Sequence, residues 1–177
     1  MIKKIFAALI LTAIFLSAQC VSAYEYVTYQ ANVEGLGWLP PVRDGEVIGT
    51  TGQARRLEAL MIDCQAGIKY SAHVENIGWQ QWVYSGEVAG TVGRNLRMEA
   101  IRIEMTGRST EYFDVYYRAH VANIGWLGWA KNGEPAGTAG AALRMEALQV
   151  QIVDKNAPFD RGGRPAFYQK IHNAPSV

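Results

Sequence analysis

Apolar and polar residues alternate along several short segments of the chain, with the period of two that is typical of β-strands. In residues 69–75, three apolar side chains share one face: Tyr70, Ala72 and Val74. The runs at residues 79–83 and 87–89 are shorter and are separated by a Ser-Gly turn signal. Each of these patterns predicts a strand that buries one of its faces.

The longest alternating segment covers residues 96–105. Its apolar residues shift by one position between Ala100 and Ile101, which predicts a β-bulge at that step. A helix over residues 96–104 is the alternative interpretation, because Leu, Met, Glu and Ala also favour helices.

The same pattern occurs three times along the chain. The segment YSAHVENIGW at residues 70–79 reappears as YRAHVANIGW at 117–126 and, in divergent form, as YQANVEGLGW at 29–38. Residues 70–104 and 117–151 are identical at 20 of 35 positions, so these copies are expected to fold alike. The three repeats span residues 26–63, 67–104 and 114–153. Extra residues between the second and third copies, within 106–113, predict a surface loop.

Units of this size cannot each bury a core, but three of them together can. The sequence therefore predicts an all-β, pseudo-threefold closed structure built from three repeats. A β-prism is favoured, and a β-trefoil is the alternative. Residues 24–154 then form a single domain. Residues 155–177 carry no repeat and form a C-terminal tail that is expected to wrap the surface or to be partly disordered.

The first residues of the chain predict that the protein is exported from the cell. Lys3 and Lys4 precede an apolar run at 5–16, and Val21-Ser22-Ala23 supplies small residues suited to a signal-peptidase site. Residues 1–23 are therefore predicted to be a signal peptide, and the mature chain to be secreted, extracellular or on the cell surface. A lipoprotein anchored through Cys20 is the alternative.

Charge and cysteine content narrow the possible partners. The precursor carries a net charge of +1, and cleavage removes two lysines and no acidic residue, which leaves −1. Such a chain has no net positive charge to attract nucleic acid, so binding to nucleic acid is not expected. Membrane insertion after signal cleavage is not expected either. Cys64 is the one cysteine of the mature chain, and we expect it to be a small buried hydrophobe. Pairing between chains is its alternative role.

The repeated motifs together resemble a known family. The chain is similar to the clostridial hydrophobic repeat with a conserved tryptophan, the ChW repeat. The similarity lies in three consecutive motifs: AHVxNIGWxxW, GExAGTxG and LRxEA. The resemblance extends from Tyr26 to Val153, although Asn32, Gly35 and Pro41 depart from it in the first copy. It implies an exported or cell-surface protein and supports binding in general, since such repeats often accompany polysaccharide-degrading or adhesive modules.

Residues with catalytic potential do not form a recognisable active site. The sequence lacks HExxH, GxSxG, P-loop and dinucleotide-glycine motifs. Glu58, Glu99 and Glu146 occur once per repeat, so threefold symmetry would separate them too far for glycosidase chemistry. Each lies two residues after an arginine (Arg56, Arg97 or Arg144), which predicts structural ion pairs, with a ligand-contacting pair as the alternative. No enzyme activity, cofactor or metal site is predicted.

The five tryptophans supply the main functional signal. Trp38, Trp79 and Trp126 recur in every copy, which favours packing anchors, with a ligand platform as the alternative. Trp82 and Trp129 have Pro41 as their counterpart in the first repeat, so they are better candidates for exposed contacts. Aromatic faces stack on sugar rings while polar side chains bind the hydroxyls. The candidate ligand-binding residues are Trp82, Trp129, Trp79, Trp126, Asn76, Asn123, His73 and His120, although a structural role is favoured for both histidines.

These residues predict a non-catalytic carbohydrate-binding or adhesive module with up to three quasi-equivalent sites, the first of them weakened. Its partner would be a polysaccharide or glycoconjugate, bound with avidity when polymeric. The alternatives are a protein-interaction or structural surface module, with a surface protein as partner, and an enzyme of unrecognised type.

Overall fold

The computed structural model describes residues 26–170, so the predicted signal peptide at 1–23, Cys20 and residues 171–177 lie outside the described residues. The described chain is all-β, with sixteen strands and one 3₁₀-helix. No helix within residues 26–170 is long and apolar enough to cross a membrane. The strands are β1 (Thr28–Val33), β2 (Gly37–Trp38), β3 (Val42–Arg43), β4 (Ile48–Gly49), β5 (Leu57–Asp63), β6 (Ile68–Val74), β7 (Gly78–Trp79), β8 (Val83–Tyr84), β9 (Val88–Gly90), β10 (Met98–Met105), β11 (Phe113–Val121), β12 (Gly125–Trp126), β13 (Ala130–Lys131), β14 (Ala136–Ala139), β15 (Met145–Asp154) and β16 (Phe167–Gln169).

Each repeat is built on one antiparallel pair of long strands: β1 with β5, β6 with β10, and β11 with β15. Two very short strands pair with the other edge of the first long strand in each repeat. The strands predicted at 69–75, 87–89 and 96–105 are therefore confirmed, and the helical alternative for residues 96–104 is wrong. The single strand predicted at 79–83 is wrong, because only its ends pair, as parts of β7 and β8. The predicted loop at 106–113 contains the 3₁₀-helix Gly107–Glu111.

The predicted bulge in β10 exists, but it lies earlier than the apolar pattern indicated. Val74 pairs with Met98 and His73 with Ala100, so Glu99 is the extra residue. Glu58 and Glu146 are skipped in the same way in the other two repeats. The apolar alternation misplaced the bulge because a charged side chain, 5 % exposed at Glu99, takes a buried position there.

The repeats are joined by a cyclic exchange of one short strand. Strand β9 of the second repeat completes the sheet of the first by pairing with β5. Strand β14 of the third repeat pairs with β10 of the second, and β4 of the first repeat pairs with β15 of the third. The three sheets are thereby linked in a ring, and each has an edge that a neighbouring repeat supplies.

A glycine makes this exchange possible in every repeat. Gly90 has φ +97°, and a Cβ built on it would overlap the carbonyl oxygen of Glu58 and lie 2.7 Å from Ala59 Cα. Gly49 and Gly137 meet the carbonyls of Glu146 and Glu99 in the same way. The backbone of each exchanged strand thus sits directly on the bulge of the neighbouring repeat, where no side chain fits.

The aromatic anchor of each repeat is a tyrosine: Tyr29, Tyr70 and Tyr117, each at most 1 % exposed. The Tyr70 hydroxyl donates to the carbonyl of Glu87 and accepts from the N–H of Ile62 in the first repeat, at 3.0 Å. Burial raises the pKa of Tyr70 to about 12. It raises the pKa of Tyr29 and Tyr117 as well. These phenols stay protonated and join neighbouring repeats through the core.

The interpretation of Trp38, Trp79 and Trp126 as packing anchors is wrong. Trp38 is 37 % exposed, and Trp79 and Trp126 are partly exposed. The register explains why: Trp79 faces His73 and Trp126 faces His120, and both histidines alternate with the core residues of their strands. Because facing residues of an antiparallel pair share a side of the sheet, the tryptophans lie on the outer side. Cys64, in contrast, is buried in the core as predicted.

The glycine contact between repeats can be tested by substitution. Gly90→Ala should destabilise the protein by roughly 3 kcal/mol or more, because a methyl group has no space against the Glu58 carbonyl. Gly93→Ala is the matched control: Gly93 also has a positive φ, +69°, but nothing lies near its Cβ position. The control should lose only about 1–2 kcal/mol from backbone strain. The measurement is urea denaturation, and equal losses would contradict the close approach.

Candidate functional site

The second repeat carries a cluster of aromatic and basic side chains on the outer side of its sheet. We call it the second-repeat cluster: Lys69, His73, Trp79, Trp82 and Arg102. The Arg102 guanidinium carbon lies 4.3 Å from the Trp79 ring centre and 4.7 Å from that of Trp82. The Lys69 ammonium lies 4.8 Å from the Trp82 ring centre. Cation–π attraction therefore holds both rings in fixed positions at the surface.

The third repeat carries the same arrangement, the third-repeat cluster: Arg118, His120, Trp126 and Trp129. The Arg118 guanidinium carbon lies 4.9 Å from the Trp126 ring centre and 4.7 Å from that of Trp129. His120 meets Trp126 edge to face, with centroids 5.4 Å apart, as His73 meets Trp79 at 5.3 Å. Burial lowers the pKa of Arg118, which remains a cation at neutral pH.

The bridging arginine comes from a different strand in each of these two clusters. Arg102 lies on β10 and faces Ser71 on β6. Arg118 lies on β11 and faces Gln149 on β15, to which its Nε donates a hydrogen bond of 2.7 Å. Arg102 and Gln149 are equivalent positions, as are Ser71 and Arg118. The guanidinium therefore contacts the two tryptophan rings whether the arginine lies on the first or on the second long strand of the repeat.

The first repeat lacks this cluster. Gln30 faces Met61 where the other repeats place an arginine, and Pro41 replaces the second tryptophan. A shallow depression of about 180 Å³ lies there, lined by Thr28, Tyr29, Gln30, Pro41, Met61 and Asp63. Of the two tryptophan positions, the first repeat keeps only Trp38, so it cannot present a pair of indole rings.

A network of charges lies between each bulge and the outer surface. Glu99 Oε1 accepts from Arg97, 2.9 Å from Nη2, and Arg97 also pairs with Glu75. His73 Nδ1 lies 3.3 Å from Glu99 Oε2, without the alignment of a hydrogen bond. The corresponding pairs Arg56–Glu58 and Arg144–Glu146 measure 2.8 Å and 2.7 Å. The predicted ion pairs are thus confirmed in all three repeats.

Asn76 and Asn123 lie at the tight turns that follow β6 and β11. Their φ angles are +61° and +66°, and Gly35, with φ +71°, takes the same position in the first repeat. Asparagine and glycine are the residues that tolerate this left-handed conformation best. Turn geometry therefore accounts for their recurrence, and both side chains are exposed beside the tryptophans.

The tail contacts one of the two clusters. Phe159 stacks on Tyr116 with ring centroids 3.9 Å apart and meets Trp129 edge to face at 5.2 Å. Further along, β16 pairs in parallel with β14. The tail thus wraps the surface over residues 155–170, which is one of the two outcomes that the sequence left open.

The arrangement can bind a ligand through ring faces, cationic donors and exposed amides. Among residues 26–170, no group of three or more His, Cys, Asp or Glu side chains forms a candidate metal site. Arg102 and Arg118 are site residues that sequence reasoning missed. The available signal was the facing of positions 71 with 102 and 118 with 149 in the predicted hairpins, since each facing pair contains one arginine.

Comparison with known proteins gives one finding. The family model described as Clostridial hydrophobic W matches three segments of the chain, residues 32–64, 73–107 and 120–154. No curated protein and no solved structure matches the chain. The three matched segments coincide with the three repeats, which confirms the resemblance drawn from the motifs.

The buried ion pair should matter for folding. Glu99→Gln should cost about 2–4 kcal/mol of unfolding free energy, because it removes the more deeply buried of the two carboxylates that pair with Arg97. Glu104→Gln is the matched control on the same strand: the Lys69–Glu104 pair is about one-third exposed, and such pairs contribute about 0–1 kcal/mol. Chemical denaturation measures both variants. A Glu99→Gln protein as stable as the control would show that the bulge does not depend on this charge.

Proposed function

The chain belongs to the Clostridial hydrophobic W family, and from that premise we propose that it is a secreted, non-catalytic carbohydrate-binding protein. The observation that carries the proposal is the second-repeat cluster, in which one guanidinium lies against both Trp79 and Trp82 and both rings are partly exposed. Two such rings offer a hydrophobic platform to the C–H faces of sugar rings. The neighbouring cations and the exposed Asn76 can donate hydrogen bonds to hydroxyl groups.

The position of Trp82 supports a role outside folding. The first repeat has Pro41 there, yet its strands pair as in the other repeats. Trp79 and Trp82 are also absent from the buried core. Large aromatic side chains kept at the surface, and held in place by charged neighbours, are typical of recognition surfaces.

The partner that fits this surface is a polysaccharide or glycoconjugate. Under this proposal the second repeat is the main site, the third a quasi-equivalent one and the first a weakened one. Weak sites on one molecule gain apparent affinity when the ligand is a polymer. Residues 1–23 would direct export, which places the mature chain outside the cell or on its surface, with anchoring through Cys20 as the alternative.

A protein-interaction module is the second candidate function. Leu36 and Ile77 are 47 % and 42 % exposed at the turns beside the tryptophans. Exposed aliphatic groups next to aromatic rings also suit a protein partner. Failure of all polysaccharides to bind would favour this function.

We propose further that the three sheets are the faces of a β-prism. The cyclic exchange of β4, β9 and β14 supports this arrangement, because it relates each sheet to the next by the same step. In an experimental structure, Trp38, Trp79 and Trp126 should superpose by successive one-third turns about a common axis. A linear stack of repeats, or the central barrel of a β-trefoil, would contradict it.

Binding can be tested by removing one ring. Trp82→Ala should weaken binding of a soluble polysaccharide by about 1–3 kcal/mol, the range found for loss of an aromatic stacking partner. Tyr112→Ala is the control, because Tyr112 is 60 % exposed and follows the 3₁₀-helix, outside both clusters. The measurement is a titration followed by tryptophan fluorescence, with xylan, hydroxyethyl cellulose and peptidoglycan fragments as probes. A Trp82→Ala protein that binds normally, or one that fails to fold, would contradict the assignment.

A further inference from the structure

Residues 159–165 of the tail pair with the backbone of the third repeat at its outer edge. The N–H of Trp129 donates to the carbonyl of Arg161 at 3.0 Å, and Arg161 Nε donates to the carbonyl of Trp129 at 2.9 Å. The N–H of Gly128 donates to the carbonyl of Pro165, also at 3.0 Å. These bonds place the tail directly against the residues that connect Trp126 with Trp129.

Side chains of the same segment complete the contact. Arg164 Nη1 donates to the carbonyl of Trp126 at 2.6 Å, and Arg161 forms an ion pair with Glu134. Phe159 lies against Trp129 on the stacked ring of Tyr116. An aromatic residue, two arginines and an extended backbone therefore engage one repeat at successive points. The contact is too extensive to be a chance crossing of the surface.

Gly128 explains why the segment docks on the third repeat. A Cβ built on Gly128 would overlap the carbonyl oxygen of Arg164 and lie 2.8 Å from its carbonyl carbon. The equivalent residue is Gln81 in the second repeat and Pro40 in the first. Gln81 would place a side chain in the path of the segment, and Pro40 also lacks the N–H that Gly128 donates. The same docking is thus possible on one repeat of the three.

We propose that residues 159–165 are the built-in ligand of the third-repeat cluster, a peptide that packs against the partly exposed Trp129 and leaves the second-repeat cluster as the open site. The inference that this segment blocks a ligand rests on the proposed carbohydrate function. Its docking at Gly128 and its contact with Trp129 do not depend on that function. The segment is held independently at both ends, by β15 and by β16 on β14. It can therefore lift away while the rest of the tail stays attached.

The test uses the full-length protein with one substitution and its reverse. Gly128→Gln gives the third repeat the residue of the second and should displace the segment. Gln81→Gly gives the second repeat the residue of the third and should change nothing, because the tail remains docked. Phe159→Ala with Arg161→Ala is a second route to displacement that leaves the third repeat intact.

Two measurements need no ligand. Amide hydrogen exchange at Gly128 and Trp129 should accelerate at least tenfold in Gly128→Gln and in the Phe159/Arg161 double variant, and stay unchanged in Gln81→Gly. Acrylamide quenching of tryptophan fluorescence should rise in the same two proteins. Unchanged exchange and quenching in both displaced variants would overturn the docking of this segment, whatever the protein binds.

Binding then tests what the segment blocks. With the probe polysaccharide that the wild type binds, Trp129→Ala alone should change the affinity less than twofold, because the docked tail already occupies the place of a ligand beside Trp129. Gly128→Gln should raise the affinity for the polymer about fivefold or more, and adding Trp129→Ala should remove that gain. An accelerated exchange without any gain would refute the blocking role. No binding by any variant would refute the proposed carbohydrate function and leave the exchange result to decide the docking.

Discussion

The close backbone contact between an exchanged glycine and the bulge of the neighbouring repeat determines the rest of the structure. Gly90 can lie on the carbonyl of Glu58 only because it has no side chain, and because the bulge turns that carbonyl toward it. The bulge places a glutamate in a buried position, and the preceding arginine neutralises it. The Gly-Thr and Arg-x-Glu motifs of each repeat are therefore two sides of one interface. Since Gly49 pairs with Ala147, the ring closes only when the first and last repeats meet.

The two faces of each sheet divide the aromatic residues by role. Tyrosines point inward, where their hydroxyl groups satisfy backbone atoms of two repeats that would otherwise be buried without partners. Tryptophans lie outward, where cations and histidines fix their rings. An indole has one polar group, a donor, so it could not replace a phenol that both donates and accepts. This chemical difference explains why tyrosine and tryptophan keep separate positions in all three repeats.

The strands and repeats could be predicted because both depend on short-range patterns. Alternation located β6 and β10, and comparison of the copies located the ion pairs of Arg97 and Glu99. The apolar face of β6 identified Tyr70 as an inward residue. The outward position of Trp79 was missed, because alternation alone does not identify the core face of so short a strand as β7. Arg102 and the docking of residue 161 were missed for a related reason. Both depend on contacts between segments that are distant in the sequence, and no local pattern indicates that these segments pair. The exchange of strands between repeats could not be predicted for the same reason.

The placement of arginine in the two clusters bears on how such repeats diverge. One guanidinium per facing pair is kept, at position 102 with Ser71 in the second repeat and at position 118 with Gln149 in the third. Converting one arrangement to the other by single substitutions passes through a pair with two arginines or with none. Two facing cations repel each other, whereas a neutral pair exists in the first repeat, where Gln30 Nε2 lies 3.3 Å from Met61 Sδ. A lineage can therefore move this arginine from one strand to the other by way of a copy with a neutral facing pair, while the other copies keep their arginines.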